Sequence, residues 1–67
     1  MFSVSVIIPV YNEKATIKEI VSRVKNTGLV SEIIIVDDGS TDGTREILSE
    51  LRDDEIINVI LHQKNLG

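Results

Sequence analysis

Three observations predict an α/β fold built on a parallel three-stranded sheet for this 67-residue chain. Three β-branched apolar runs alternate with two stretches of helical periodicity, giving the order β-α-β-α-β. Strands separated by single helices imply right-handed crossovers, and therefore parallel neighbours. The two unusual polar stretches, PVYNE and DDGSTDGT, each follow a strand and precede a helix. Both therefore fall at the carboxyl edge of the sheet, where ligands gather in such folds.

The elements follow in order. Residues 3–10, SVSVIIPV, form a β-branched, partly alternating strand that Pro9 is expected to end. Residues 15–25 carry Ile17, Ile20, Val21 and Val24 at i, i+3, i+4 and i+7, the stripe of an amphipathic helix. Thr16 and Glu19 have capping-box spacing, Asn12 competes as N-cap one turn earlier, and Gly28 supplies the stop.

Residues 33–36, IIIV, are continuously apolar, which predicts a strand with helices over both faces. A second helix spans residues 44–52, with Ile47, Leu48 and Leu51 inward and Ser40, Thr41 and Asp42 competing for its N-cap. Asp53 and Asp54 form a turn, and residues 56–61 form the third strand. The whole is half of a doubly wound fold.

Length and composition narrow the function. A chain of this size buries only about 60% of its unfolded surface, so an independent core is marginal. With no cysteine and one histidine, neither a disulfide staple nor a zinc site supports it. Eleven acidic residues against seven basic give a net charge of −4. The basic side chains are scattered and only Phe2 and Tyr11 are aromatic, which argues against nucleic-acid binding. The apolar amino terminus lacks the basic flank and cleavage site of a signal peptide, and its longest apolar run is too short to span a bilayer. The chain reads as soluble, and its unpunctuated end, HQKNLG, as the amino-terminal piece of a longer protein.

Asp37 and Asp38 close the second strand with two adjacent like charges. Turn and cap preferences account for residues 40–43 but poorly for this pair, whose repulsion a hydrogen-bond-donating ligand such as a nucleobase relieves. Against a calcium loop beginning at Asp38, Asp42 and Gly43 match, but Ser49 occupies the place of the bidentate glutamate. Neither G-x-x-x-x-G-K nor G-x-G-x-x-G is present. In PVYNE, Tyr11 offers a π face or hydroxyl, Glu13 accepts hydrogen bonds, and Asp38 accepts from the neighbouring strand. Together they read as a base-recognition wall, and a plain strand-to-helix turn with an N-cap and a dipole-compatible acid is the lesser alternative. His62 reads as a polar strand-end residue before it reads as a ligand, and residues 64–67 could begin a phosphate-facing loop.

SVIIPVYNE, then EIIIVDDGSTDGT, then HQKNLG together resemble the start of the family-2 glycosyltransferases, and among them the dolichyl-phosphate or polyprenyl-phosphate sugar transferases. The resemblance covers essentially the whole chain. It implies the Rossmann-like half of a GT-A fold, with residues 1–67 as the amino-terminal nucleotide-sugar-binding part of a truncated domain. It also implies an inverting transfer of sugar from a UDP- or GDP-linked donor, with Mg²⁺ or Mn²⁺ as cofactor. Pro9, Tyr11, Glu13, Val36 and Asp38 match the positions that contact base and ribose, with Asp38 reading the base and Asp37 supporting the turn. The family's D-x-D metal motif, catalytic base and acceptor site lie on later strands, so this chain alone is expected to hold no metal and to be inactive. A lipid acceptor would place the parent protein at the cytoplasmic face of a membrane. The exposed sheet edges predict dimerisation. A stand-alone Rossmann-like binding or self-assembly module is the alternative. A response-regulator-like domain is disfavoured because its paired acids follow the first strand.

Overall fold

The structure is a computed structural model that describes residues 3–62. The strands are β1 (Ser5–Val10), β2 (Glu32–Asp38) and β3 (Ile57–His62), and the helices are α1 (Ile17–Asn26) and α2 (Thr44–Leu51). Chain order is β1-α1-β2-α2-β3, and the sheet is parallel in the order β1-β2-β3. The predicted fold class, topology and all five elements are therefore present.

Parallel strands added successively in one direction by right-handed crossovers receive both helices on the same face. The core confirms this arrangement. Ile17 and Val21 of α1 and Leu48 of α2 join one cluster with Ile8, Val10, Ile33, Ile35 and Ile57. Ile17, Ile33, Ile35 and Leu48 are fully buried, each contributing about 1.5–3 kcal/mol relative to exposure. The expectation that helices cover both faces of the central strand is thus corrected. Burial along β2 alternates, with Ile33, Ile35 and Asp37 inward and Ile34, Val36 and Asp38 only half-buried. Its unbroken apolar run reflects an outer face that is apolar yet lacks a covering layer among the described residues.

Pro9 does not end its strand. It lies inside β1 opposite Val36, one residue before the strand closes at Val10. An edge strand tolerates this, since it can leave one side of its backbone without a ladder partner.

The helix starts also differ from expectation. Thr16 occupies the N-cap of α1 without a side-chain cap bond, and its hydroxyl donates to Glu13 Oε2 at 2.8 Å. Glu19 pairs with Arg23 one turn on, so the capping box does not form. Gly43 takes the N-cap of α2 with φ +99°, while Asp42 Oδ1 accepts the Thr44 amide at 3.0 Å and the Thr44 hydroxyl. Gly28, at φ +70°, stops α1 as expected. Asp54 closes the turn after α2 by accepting the Ile56 amide at 3.1 Å, and it pairs with Lys25 across the helix layer. Ile56 belongs to that turn, and β3 begins one residue later. No helix among the described residues is long and apolar enough to cross a membrane.

Candidate nucleotide site

The pleat of β2 resolves the paired acids. Successive side chains of a strand point to opposite faces, so Asp37 turns inward beneath the helices and Asp38 turns outward. The adjacent charges do not share a surface, and the repulsion inferred from their adjacency is largely absent.

Asp37 is fully buried and completely engaged. Its Oδ2 accepts the Ser40 amide at 3.2 Å and Arg45 Nε at 2.8 Å, and its Oδ1 accepts the Ser40 hydroxyl. Burial pushes the carboxyl upward in pKa. The hydrogen bonds from Ser40 and Arg45, with the Arg45 charge, outweigh that and hold it below its ordinary value.

Ser40 passes this anchor to the neighbouring loop. Its Oγ accepts the Asn12 amide at 2.9 Å, while Asn12 Oδ1 accepts the Thr41 amide at 2.8 Å. Asn12 adopts φ +51° to make both contacts, a left-handed conformation that Asn tolerates better than most residues. Farther out, the Lys14 amide donates to Asp42 Oδ2 at 3.3 Å. PVYNE and DDGSTDGT are therefore bound into one rim. Sequence reasoning treated Asn12, Ser40 and Asp42 as rival caps, and their shared residue chemistry gave no sign that they bridge two loops. Arg45 was likewise missed, since a lone arginine in a helix first turn has no distinguishing pattern.

The outward face carries the other predicted residues. Pro9, Val36 and Ile60 are register neighbours across the three strands and form an apolar shelf. One pleat farther, Asp38 is paired in register with His62, and their side chains are 3.8 Å apart at closest approach. Tyr11 follows the Val10–Asp37 register pair directly and is 54% exposed. It therefore stands at the same edge as Asp38. Glu13 sits farther into the loop, and a ligand would share its carboxylate with the Thr16 hydroxyl. Pro9, Val36 and Asp38 are thus brought together on one surface, with Tyr11 at its border and Glu13 outside it. Residues 64–67 lie outside the described residues.

As far as the described residues form it, this surface is one face of the sheet. A groove of about 350 Å³ lies elsewhere, between the helices, lined by Lys18, Val21, Lys25 and Leu51. The described residues do not fit a divalent metal centre. No three His, Cys, Asp or Glu side chains converge among them, and the one buried carboxylate is held by Arg45 and Ser40.

Comparison with known proteins places these features in context. The profile of Glycosyl transferase family 2 matches residues 5–67. The chain is 46% identical over 66 residues to a dolichol-phosphate mannosyltransferase of Pyrococcus furiosus, covering 96% of this chain and 19% of that protein. It is 38% identical over 71 aligned residues to an undecaprenyl-phosphate 4-deoxy-4-formamido-L-arabinose transferase of Salmonella paratyphi B, covering 96% of this chain and 21% of that protein. The chain spans about a fifth of the length of these curated relatives. No solved structure matches it significantly.

Proposed function

This chain belongs to glycosyl transferase family 2, and from that premise we propose that it forms the nucleotide-recognition part of an enzyme transferring sugar from a nucleoside-diphosphate donor. The observation that carries the reading is the outward carboxylate of Asp38. It stands at the carboxyl end of the central strand, beside Tyr11 and above the apolar row of Pro9, Val36 and Ile60. An ionised carboxylate is an acceptor only, so it suits the N–H edge of a base, while the apolar row suits a ring face.

The acceptor is a polyprenyl phosphate. The names of the two relatives, each a transferase acting with a lipid-linked phosphate, support this assignment. A lipid acceptor in turn brings the complete enzyme to a membrane surface, with its nucleotide site on the cytoplasmic side.

The chain's own residues act in binding and orientation. Asp38 fixes the base, Tyr11 flanks it, and the loop rim held by Asn12 and Ser40 keeps both in place before the donor arrives. Glu13, set farther into the loop beyond that surface, is an acceptor for the ribose hydroxyls. Mg²⁺ or Mn²⁺, the cofactor the resemblance implies, would supply charge neutralisation at a donor diphosphate, and the described residues of this chain assemble no centre to hold it. The 67 residues alone bind without catalysing.

Amide NMR of the chain, titrated with UDP and GDP in the presence of Mg²⁺, tests the proposal. Shifts centred on Tyr11, Val36 and Asp38 with a nucleoside diphosphate are the expected result. Well-dispersed peaks indifferent to both nucleotides would overturn it. A second reading, self-assembly through the sheet, draws on the open outer face, where Ile7 is 66% exposed and Ile60 47% exposed.

A further inference from the structure

We infer that Arg45 is a positioning residue of the nucleotide site, fixing Asp38 in place from the helix side without touching the ligand. This rests on the nucleotide reading of that surface.

The Asp38 side chain is 46% exposed, and its nearest charged neighbour among the described residues, His62 Nδ1, is 3.8 Å away. That separation is too long for a hydrogen bond. The direction of the carboxylate is therefore set by the backbone that carries it. Asp38 and His62 are the last residues of β2 and β3 and are register partners, and the ends of elements are where a fold opens most readily.

Arg45 holds this strand end at two points. Its Nε donates at 2.8 Å to the carboxylate of Asp37, the residue before Asp38. Its Nη2 donates to the main-chain carbonyl of His62, the residue opposite Asp38. The rigid fork of a guanidinium suits such a bridge between two separate acceptors, whereas an ammonium is a single point of charge. The arginine is itself anchored. Asp42 fixes the start of α2 through Thr44, and Leu48, three residues after Arg45, is buried in the core. Arg52 of the same helix also reaches β3, donating to the Val59 carbonyl at 3.5 Å. Val59 lies opposite Ile35, away from Asp38, so the two arginines separate a contact at the site from one that only joins α2 to the sheet.

A group that must be ordered when the ligand arrives subtracts that cost from affinity. With Arg45 in place, Asp38 is ordered beforehand, and the outward face stays clear for the nucleotide.

The test is titration with UDP and GDP in the presence of Mg²⁺, read by amide NMR. It compares the unmodified chain with Arg45→Lys, Arg45→Gln, Arg52→Gln and Val21→Ala, and the stability of each is measured by urea denaturation. Arg45→Lys keeps a positive charge for Asp37 and should retain most of the stability while losing the bridge to His62. Both Arg45 variants should weaken nucleotide binding by about three- to tenfold, and should shift the Asp38 and His62 amides before any nucleotide is added. Arg52→Gln should leave affinity unchanged, as should Val21→Ala, which weakens the core away from the site.

Unchanged affinity in Arg45→Lys and Arg45→Gln would overturn the inference while leaving the nucleotide site in place. A loss of affinity in Val21→Ala as large as that in the Arg45 variants would also overturn it, because stability alone would then account for the effect. Failure of the unmodified chain to bind either nucleotide would overturn it together with the reading on which it rests.

Discussion

Arg45 and Asp37 meet at the first turn of α2, where Arg45 Nε donates at 2.8 Å to a carboxylate with no exposed surface. The contact closes the carboxyl edge of the sheet from the helix side. Truncating the arginine leaves a buried charge with only Ser40 as partner, which is far costlier than never having buried the pair. Because the Arg45 side chain is 34% exposed, Arg45→Ala should cost about 2–3 kcal/mol, somewhat below the range for fully buried pairs. Urea denaturation followed by circular dichroism measures this. A loss under 1 kcal/mol would show that Ser40 and the backbone suffice to hold Asp37.

The same carboxylate sets an acid limit on stability. Asp37 has a pKa below its ordinary 3.8, because hydrogen bonds from Ser40 and Arg45 outweigh the opposing effect of burial. Thr44 lowers Asp42, and Lys25 lowers Asp54, in the same direction. A depressed folded-state value contributes stability that is fully present above the unfolded value and is lost as pH falls through the folded one. The urea midpoint should therefore be flat between about pH 5 and 7 and fall below about pH 4. Asp37→Asn should lower the plateau and shallow the acid slope. A midpoint that rises on acidification would contradict the assignment.

The five elements were legible because each rests on local signals: β-branched runs, one apolar helical stripe, and Gly28 as a stop. What could not be read was how the two loops meet. Asn12, Ser40 and Asp42 are ordinary cap residues by type, and only the tertiary approach of β1 to β2 turns them into cross-loop partners. The covering of the sheet was misread for a related reason. An unbroken apolar strand looks the same whether its second face is covered or open, and here Ile34 and Val36 lie on a face without a covering layer among the described residues. For the site, the residue chemistry singled out the Asp37–Asp38 pair for its repulsion, and the pleat removes that ground: inward Asp37 is satisfied by Arg45, so no ligand is needed to relieve the pair.

Asn12 offers a test of the loop rim. Its φ of +51° and its bond to the Thr41 amide are separable by substitution. Asn12→Ala loses the acceptor and strains the backbone, and should cost about 1–2 kcal/mol. Asn12→Gly loses the acceptor alone and should cost about 1 kcal/mol or less. Asn12→Asp keeps both tolerance and acceptor and should be nearly neutral. Equal losses for Ala and Gly would show that the left-handed conformation carries no strain.

The outer face of the sheet has no covering layer among the described residues, which predicts association. Ile7 and Pro9 on β1 and Ile60 on β3 flank Ile34 and Val36 of the central strand, and Ile7 and Ile60 are exposed. A continuous apolar surface of this kind seeks cover, and the β1 and β3 edges add backbone groups open to pairing. The chain should therefore self-associate as its concentration rises, read as an increase in weight-average mass by sedimentation. The two routes respond differently to substitution. Ile7→Lys with Ile60→Lys places charge on the face and should return the chain to a monomer if faces pack. If edges pair instead, that double variant should still associate, because its backbone edges are unchanged. Monomeric behaviour of the unmodified chain at high concentration would argue that neither surface drives assembly.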